Sequence, residues 1–296
     1  MSGKLTVKAM MGDYPNTLDL KSGKLESSLL DLDFGGIHRP LLAFKRVVNG
    51  EFDIAELAVT TFLQAKAVGK PLVLIPAVMF GGKSQHAAIV YNAKRGHLTP
   101  RDIVGRRVGV RSSSQTTVMW VRGILQNDYG VDIDNVQWVT FEDGHVAQYK
   151  DPPNAVRAPL DKKLFDMLID GEIDAAVLPP ADLKDPRLRP LISDAEAAAI
   201  AWTEQKRFFP INHMLTVSES FSASNPAAVR EMFRLVAESR KAAPGPNAAG
   251  LDPYPLGVEA CRKALETAVV YAAQQKLIPR RFEVDELFDD VTRTLM

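Results

Sequence analysis

The segment Phe44-Lys-Arg-Val-Val-Asn-Gly-Glu-Phe-Asp-Ile-Ala-Glu-Leu57 decides the predicted fold, because its pattern returns as Phe165-Asp-Met-Leu-Ile-Asp-Gly-Glu-Ile-Asp-Ala-Ala-Val-Leu178. Each copy predicts a helix, a glycine that stops it, a tight turn and a buried strand. Chance is an open alternative, since helix–glycine–strand is a common unit. Identical residues at six of the fourteen positions nevertheless favour two lobes of similar build.

The remaining periodicity predicts that strands and helices alternate along the chain. Strands are predicted at 5–10, 52–59, 72–78, 85–92, 107–110, 136–141, 173–178 and 212–217, and helices at 40–49, 60–68, 112–129, 160–170, 226–241, 256–275 and 284–295. Such an alternation indicates parallel or mixed α/β sheets covered on both faces. The segment 143–159 is rich in Gly, Pro and Asp and is predicted to be a long loop, which in a compact domain is often functional.

Composition removes several classes of protein. The chain has 296 residues, with 36 Lys and Arg against 36 Asp and Glu, so it lacks the basic excess of a nucleic-acid binder. Its longest apolar runs, such as 72–80, are shorter than the roughly 18 residues that a membrane span needs. The first residues do not form an apolar signal core, so we expect a cytoplasmic location. The single cysteine, Cys261, is expected to be a buried structural thiol.

Several blocks of the chain resemble 4,5-dihydroxyphthalate decarboxylase and its relatives. These blocks are FDIAELAVTTFL, HAAIVYN, TPRDIVGRRVGV, TTVMWVRGILQNDYGV, FDMLIDGEIDAAVLPP and FFPINHMLTV. The resemblance implies an α/β, two-lobed type II periplasmic-binding-protein-like fold in cytoplasmic enzyme use, each lobe a mixed β-sheet flanked by helices, with a ligand cleft between the lobes. It also implies that lobe one comprises 1–94 plus 205–296, and lobe two 95–204.

Two departures from the family pattern bear on the substrate. Arg111-Ser112-Ser113 stands where the family usually has a Pro-Glu-Tyr-like turn, and a Gly-Gly-rich stretch is missing before Arg157. Both departures fall where the ligand is expected, so a different substituted aromatic or related acid would also fit.

Three residues are candidates for catalysis. His86 and His213 each belong to an apolar strand pattern, and the residue types alone slightly favour a core role for both. The family resemblance reverses that preference, because an imidazole in the cleft is a natural proton donor near neutral pH. Glu56 interrupts the apolar strand FDIAELAV, where a carboxylate is costly unless it is paired. A structural ion pair or a functional base would each explain it, and its position in a matched block favours the base.

Other residues are candidates for holding a substrate. Ser112, Ser113, Ser114 and Thr116 stand where a long helix is predicted to start, and a helix start attracts anions. Arg111 and Arg157 could pair with a second carboxylate, although each alone is more often a solvated surface arginine. Asp13 is equally suited to capping a turn or binding a ligand.

The remaining candidates are weaker. Arg122 lies within the predicted helix and is expected to be structural. His38 and His97 are expected to be exposed, and His145 is a reserve candidate in the long loop.

The resemblance implies a carboxy-lyase that acts on a hydroxylated aromatic dicarboxylic acid such as 4,5-dihydroxyphthalate and gives a hydroxybenzoate and CO2. It implies no cofactor; a divalent metal held by Glu56, His86 and His213 is a minority alternative. The partner is a small aromatic carboxylate, with no nucleic acid and no membrane, and a homo-oligomer is left open. The competing functions are a non-catalytic solute-binding protein of an ABC-type transporter and a menaquinone-precursor lyase on the same fold.

Overall fold

A computed structural model describes residues 3–81 and 85–296 of the chain. The strands are β1 (Leu5–Met10), β2 (Leu30–Asp33), β3 (Ile54–Ala58), β4 (Leu72–Gly81), β5 (Ile89–Asn92), β6 (Arg107–Val110), β7 (Gln137–Thr140), β8 (Ala155–Arg157), β9 (Ala175–Val177), β10 (Leu188–Pro190) and β11 (Ile211–Ser218). The α-helices are α1 (Leu18–Lys21), α2 (Phe44–Val48), α3 (Val59–Ala67), α4 (Thr116–Tyr129), α5 (Leu164–Asp170), α6 (Ala195–Lys206), α7 (Glu219–Ser224), α8 (Pro226–Arg240) and α9 (Val258–Gln274). Short 3-10 turns connect several of them.

The chain divides into two compact units. Unit 1 comprises Met1–Lys83, Arg207–Val270 and Ile278–Met296, and unit 2 comprises Ser84–Lys206 and Tyr271–Leu277. The main chain therefore passes from unit 1 to unit 2 and back twice, because the short segment Tyr271–Leu277, which includes the end of α9, belongs to unit 2.

Unit 1 is built on a five-stranded mixed sheet in the order β2-β1-β3-β11-β4. β1 pairs in parallel with both β2 and β3, whereas β11 is antiparallel to β3 and β4. The apolar face of α8 packs on this sheet through residues that include Val229, Met232 and Phe233, and these join the strands in one hydrophobic core. Burial of such aliphatic and aromatic side chains is the main force that holds the layers together.

Unit 2 repeats the same strand arrangement with one strand added at an edge. Its six-stranded sheet runs β10-β5-β9-β6-β7-β8. β6 is parallel to β7 and β9, while β5 is antiparallel to β9 and β10. The sequence β7-β6-β9-β5-β10 therefore matches β2-β1-β3-β11-β4 strand for strand in both order and direction.

The repeated segment of the sequence occupies equivalent places in the two sheets. The first copy forms α2 and β3, and the second forms α5 and β9. The glycine between helix and strand is left-handed in both, with φ of 79° at Gly50 and 75° at Gly171, as a helix stop requires. The predicted similarity of the two segments is thus confirmed.

The first passage between the units falls earlier in the chain than the predicted boundary at residue 94. β5 pairs with β9 and β10 and so belongs to the sheet of unit 2. The repeat explains this placement, because β5 is the counterpart of β11, the strand that lies between β3 and β4 in unit 1. The 3-10 turn His86–Ala88, which precedes β5, falls in unit 2 with it.

Some elements differ from the prediction. The predicted helix over 284–295 is wrong: the structure has two 3-10 turns there, Val284–Leu287 and Thr292–Thr294. The prediction missed the short edge strands β2, β8 and β10 and the helix α6, and β8 lies inside the predicted long loop. Strands of three or four residues carry too little alternation to be recognised. The uniform run of alanines in α6 hides the helical periodicity.

Cys261 is fully buried on α9, as predicted, and burial raises the pKa of its thiol to about 12. Among the described residues, no helix combines the length and apolar character that crossing a membrane would require.

Helix α4 depends on a close contact at Gly123. A Cβ atom added to this glycine would lie 1.9 Å from the ring of Tyr271, which is buried and packs edge-on against Trp120 with ring centroids 5.6 Å apart. The glycine therefore allows the end of α9 to dock on α4 within unit 2.

We expect Gly123→Ala to destabilise the protein by about 1–3 kcal/mol. Alanine favours a helix over glycine by about 1 kcal/mol, but the clash with a ring that cannot swing away outweighs this gain. Chemical denaturation measures the change, with Gly245→Ala as the control, because no atom lies within 4 Å of the Cβ added there. Equal or greater stability of Gly123→Ala would show that the Tyr271 ring can move.

Candidate functional site

The buried carboxylate of Glu56 is the centre of the candidate site in unit 1. Every residue of β3 is buried, and Glu56 has no exposed surface. A charge in such a place must be satisfied by hydrogen bonds. β3 lies between a parallel neighbour, β1, and an antiparallel neighbour, β11, and both supply the partners.

Three donors converge on this carboxylate. The backbone N–H of Gly12 donates to Oε2 at 2.8 Å, and the Tyr14 hydroxyl donates to Oε1 at 2.8 Å. Nδ1 of His213 lies 2.6 Å from the same Oε1. Hydrogen bonds to a charged acceptor are among the stronger ones, so the set holds the carboxylate in one position.

Sheet geometry accounts for the position of each donor. Gly12 and Tyr14 follow β1, whose carboxyl end lies beside that of its parallel neighbour β3. His213 stands opposite Ala58 and Leu215 opposite Glu56, so His213 is the diagonal neighbour of Glu56 on the same face of the sheet. Such diagonal pairs are within reach of long side chains.

The turn after β1 is built to hold Tyr14 against Glu56. Thr17 Oγ1 donates to the carbonyl of Gly12 at 2.6 Å and accepts the N–H of Tyr14 at 2.9 Å. A Cβ at Gly12 would lie 2.5 Å from the Tyr14 ring, so only glycine lets the ring pass. Burial, with the Glu56 charge next in importance, raises the pKa of the Tyr14 phenol, so the hydroxyl keeps the proton that it donates.

Two aromatic rings orient His213. Phe44 meets the imidazole edge-on with ring centroids 5.1 Å apart, and Phe80 lies at 5.3 Å in a tilted arrangement. The His213 side chain is 19% exposed, although its carboxylate partner is fully buried. With Nδ1 committed to Glu56, Nε2 is the ring nitrogen left to exchange a proton with a bound molecule.

Asp13 lies in the same turn but points to other partners. It forms an ion pair with Lys21, and its Oδ2 is 2.7 Å from His38 Nδ1. Lys21 also donates to the carbonyls of Met11 and Ile37 at 2.8 and 3.0 Å. The hydrogen bond from Lys21 lowers the pKa of the Asp13 carboxyl, so the residue ties the turn together as an ion.

In unit 2, the predicted serine cluster comes just before helix α4. Ser112, Ser113 and Ser114 are all buried, and the helix begins at Thr116, which is buried too. The prediction placed the helix start at Ser112, four residues early, because serines before a helix resemble its first turn. The N–H of Gln115 donates to the carbonyl of Ser112 at 3.2 Å, which closes a turn ahead of the helix.

Arg111 and Arg157, far apart in sequence, line one surface cavity of about 300 Å³ in unit 2. Arg111 follows β6 and Arg157 ends β8, so both lie at the carboxyl ends of parallel strands, where ligands bind in open α/β sheets. Lys162 and Lys163 add two more cations to its lining. Arg111 contacts Glu142 at 2.5 Å and Arg157 contacts Asp143 at 3.3 Å. Both carboxylates are exposed, so an incoming anion could displace them.

His86 lies in the 3-10 turn before β5 in unit 2, whereas Glu56 and His213 belong to unit 1. Its ring contacts Trp202 edge-on, with centroids 5.9 Å apart. Burial lowers the pKa of the His86 imidazole, with Asp128 acting weakly in the opposite direction, so the ring is neutral at neutral pH. Across residues 3–81 and 85–296, no three His, Cys, Asp or Glu side chains cluster in a way that could hold a metal.

The other histidines have local partners. His38 pairs with Asp13, and His97 accepts or donates a hydrogen bond at 2.9 Å with the Tyr91 hydroxyl. His145 lies in the segment 143–150, which has no helix or strand.

Sequence reasoning missed Tyr14, the hydroxyl partner of Glu56, and chose its neighbour Asp13 instead. Parallel pairing of β1 with β3 was the signal available, since it brings the residues after β1 next to the end of β3. The aromatic residues Phe44 and Phe80 gave no such signal, because an aromatic residue in an apolar run is far more often part of a core.

Comparison with known proteins relates the chain to a family. A family model described as NMT1/THI5 like matches residues 30–151. The 4,5-dihydroxyphthalate decarboxylase of Comamonas testosteroni is 28% identical over 242 aligned residues, covering 75% of this chain and 71% of the relative. The protein of the same name from Pseudomonas putida is 27% identical over 212 residues, covering 67% of this chain and 81% of the relative.

Among solved structures, the periplasmic aliphatic sulphonate binding protein SsuA from Escherichia coli has the same fold, with a TM-score of 0.61 at 15% identity. The match covers 97% of this chain and 98% of that one. This likeness confirms the predicted type II periplasmic-binding-protein-like fold, with a mixed sheet and flanking helices in each unit. The motifs and the two curated relatives show that the chain is similar to the 4,5-dihydroxyphthalate decarboxylases over most of its length.

Proposed function

We propose that this chain is a carboxy-lyase that converts a hydroxylated aromatic dicarboxylic acid, such as 4,5-dihydroxyphthalate, to a hydroxybenzoate and CO2. One observation carries the proposal: a partly exposed histidine, His213, is held at 2.6 Å by the fully buried carboxylate of Glu56. A solute-binding protein needs no proton donor backed by a buried charge. The names of the two curated relatives support the same reaction class.

The reaction requires a proton at the ring carbon that carries the departing carboxylate. In the proposed step, His213 protonated on both nitrogens gives its Nε2 proton to that carbon, and a base takes the proton of the hydroxyl para to it. The C–C bond then breaks, its electron pair restores the aromatic ring, and the carboxylate leaves as CO2. The phenolate regains a proton at the end, so that one carboxylate and one proton become CO2 and a C–H bond.

In this proposal the three residues predicted to be catalytic have different roles. Glu56 is fully enclosed by Gly12, Tyr14 and His213, so in this proposal it positions His213 rather than touching the substrate. A carboxylate on Nδ1 fixes the tautomer and orientation of the ring, as it does in other acid–base sites. Burial keeps the His86 imidazole neutral and therefore able to accept a proton, and its mutation tests whether it takes part in the reaction.

Unit 2 supplies the groups that recognise carboxylates in the proposal. The cavity lined by Arg111 and Arg157 offers fixed cations to one carboxylate, and the segment from Ser112 to Thr116 offers hydroxyl groups and the positive end of α4 to the other.

A non-catalytic solute-binding function is the second candidate, and the likeness to SsuA favours it. Purified protein incubated with 4,5-dihydroxyphthalate separates the two. A carboxy-lyase releases CO2 and forms the hydroxybenzoate in equal amounts over many turnovers, as measured by chromatography and CO2 trapping. Saturable binding without product would establish the solute-binding function instead.

The two histidines are tested by His213→Asn and His86→Asn. Loss of a general acid or base typically lowers turnover roughly 10²–10⁴-fold. Asparagine at 213 can still donate to Glu56, so we expect His213→Asn to lose turnover in that range with little change in melting temperature. If either variant melts early while its folded fraction turns over normally, that histidine is a packing residue.

Glu56→Gln tests the positioning role of the carboxylate. The amide keeps the shape but cannot accept from every donor around it, so a buried donor is left unsatisfied and stability falls by about 1–3 kcal/mol. We expect kcat to fall more than KM changes, because the substrate does not touch this residue. The matched control is Glu51→Gln, an exposed glutamate paired with Arg46, for which we expect an effect on stability below about 1 kcal/mol. A variant at 56 with the wild-type kcat would contradict the role.

A further inference from the structure

Arg122 is a buried cation whose charge no described part of the protein neutralises. It lies on α4 and is only 2% exposed. Within residues 3–81 and 85–296 it forms no ion pair with a carboxylate. Asp151 is near enough to favour the charge but does not contact it, and burial lowers the Arg122 pKa to about 10, so the guanidinium remains charged at neutral pH.

The guanidinium points toward the segment before the helix. A helical side chain leans toward the N-terminus of its helix, and this one reaches back far enough for Nη1 to donate to the carbonyl and to Oγ of Ser113, each at 3.2 Å. Its plane lies on Trp138, with Cζ 4.0 Å from the ring centroid. These contacts fix the orientation of the group but use only one of its nitrogens.

The other two nitrogens form a complete fork. Nε and Nη2 have no hydrogen-bond partner in the described ranges, although both atoms are buried. They lie on one edge of the guanidinium with parallel N–H bonds, the geometry that binds both oxygens of a carboxylate at once. Two unsatisfied charged donors are expensive to bury, and a purely structural residue at this position would not need them.

We propose that Arg122, together with Ser113 beside it, is the receptor for a carboxylate of the substrate, bound in bidentate fashion through Nε and Nη2. This inference rests on the proposed function for the identity of the substrate, but its chemistry requires only a planar carboxylate. The positive start of α4 adds to the attraction. In this proposal Arg122 binds the substrate, whereas the sequence alone suggested a structural role.

A loop without helix or strand lies next to Arg122 and Ser114. Tyr149 and Asp151 act electrostatically on Arg122, and Gly144 lies so close to Ser114 that an added Cβ would be 2.8 Å from its Oγ. Residues 142–150 form no helix or strand. In the proposal a carboxylate enters past this segment, and hydrogen exchange of its amides changes when the ligand binds.

The test uses the full chain with phthalate, which carries two carboxylates but no hydroxyl, and with catechol, which carries hydroxyls but no carboxylate. Calorimetric titration compares wild type with Arg122→Met, Arg122→Lys and the control Arg230→Met, an exposed arginine in unit 1. We expect Arg122→Met to raise the Kd for phthalate at least about 30-fold, with the affinity for catechol unchanged. Arg122→Lys keeps the charge but lacks the two parallel N–H donors, so its Kd for phthalate should lie between those of wild type and Arg122→Met.

The melting temperature of the unligated Arg122→Met variant is a second measurement. If Arg122 had a structural role, the substitution would lower this temperature. Replacing an unpaired buried cation by an apolar side chain of similar length should leave the melting temperature of the unligated protein equal or higher. A lower melting temperature with an unchanged Kd would overturn the proposal. Should Arg122→Met fail to fold, a wild-type Kd for Arg122→Lys would overturn it as well.

The outcomes separate this proposal from the proposed function. Wild type that binds phthalate through Arg122 but releases no CO2 from 4,5-dihydroxyphthalate would refute the carboxy-lyase and leave the receptor standing. If the wild type releases CO2 and the Arg122→Met variant binds phthalate with the wild-type Kd, only the proposed role of Arg122 is refuted. Wild type that binds no aromatic carboxylate would refute both.

Discussion

A carboxylate without solvent must take all its stabilisation from the protein, and around Glu56 this requirement shapes the whole of unit 1. Its partners come from two separate stretches of chain, the turn after β1 and the strand β11. They converge only when β3 sits between a parallel and an antiparallel neighbour in the observed register. A slip of one residue in β11 would turn His213 to the other face and leave the charge short of a donor. The candidate site therefore forms only when the central strands pair in the observed register.

The two units share a strand plan but carry different side chains at equivalent places. β3 and β9 hold equivalent places, yet the position of Glu56 is occupied by Val177 in the second copy. The turn after β1 offers Gly12 and Tyr14 to a carboxylate of the protein. Its counterpart after β6 offers Arg111 and the serines, which suit a carboxylate from outside. The same backbone arrangement has thus been given opposite electrostatic characters by a few side chains.

Much of this could be predicted from the sequence, and the limits have physical causes. Helices with clear glycine stops and strands with five or more apolar residues were found, because burial of one face makes apolar residues recur at a regular spacing in the sequence. Edge strands such as β8 and β10 were missed, since three residues cannot display a period. Arg111 and Arg157, predicted as candidates to pair with a carboxylate, line one cavity. Tyr14 was missed because its importance comes from strand pairing, which a linear pattern does not contain.

The surroundings of Arg122 also could not be predicted from the sequence. In the sequence it is one more cation in an amphipathic helix, and such residues are usually solvated. Only the fold reveals that it is enclosed and that one nitrogen of its guanidinium, Nη1, has hydrogen-bond partners while the other two have none among the described residues. Burial and hydrogen-bond inventory, rather than residue type, separate it from the exposed arginines of the chain.

The buried thiol of Cys261 makes the protein well suited to chemical labelling. Because the chain has one cysteine, and burial both hides its sulfur and holds it protonated, maleimide and disulfide reagents should leave the native protein unmodified. A cysteine introduced on the surface would then be the one reactive site without any change to the native core. Leu160 is a favourable position, since it is 98% exposed and lines the cavity of Arg111 and Arg157. A fluorophore attached there would report the arrival of an anion directly, independent of any reaction that follows.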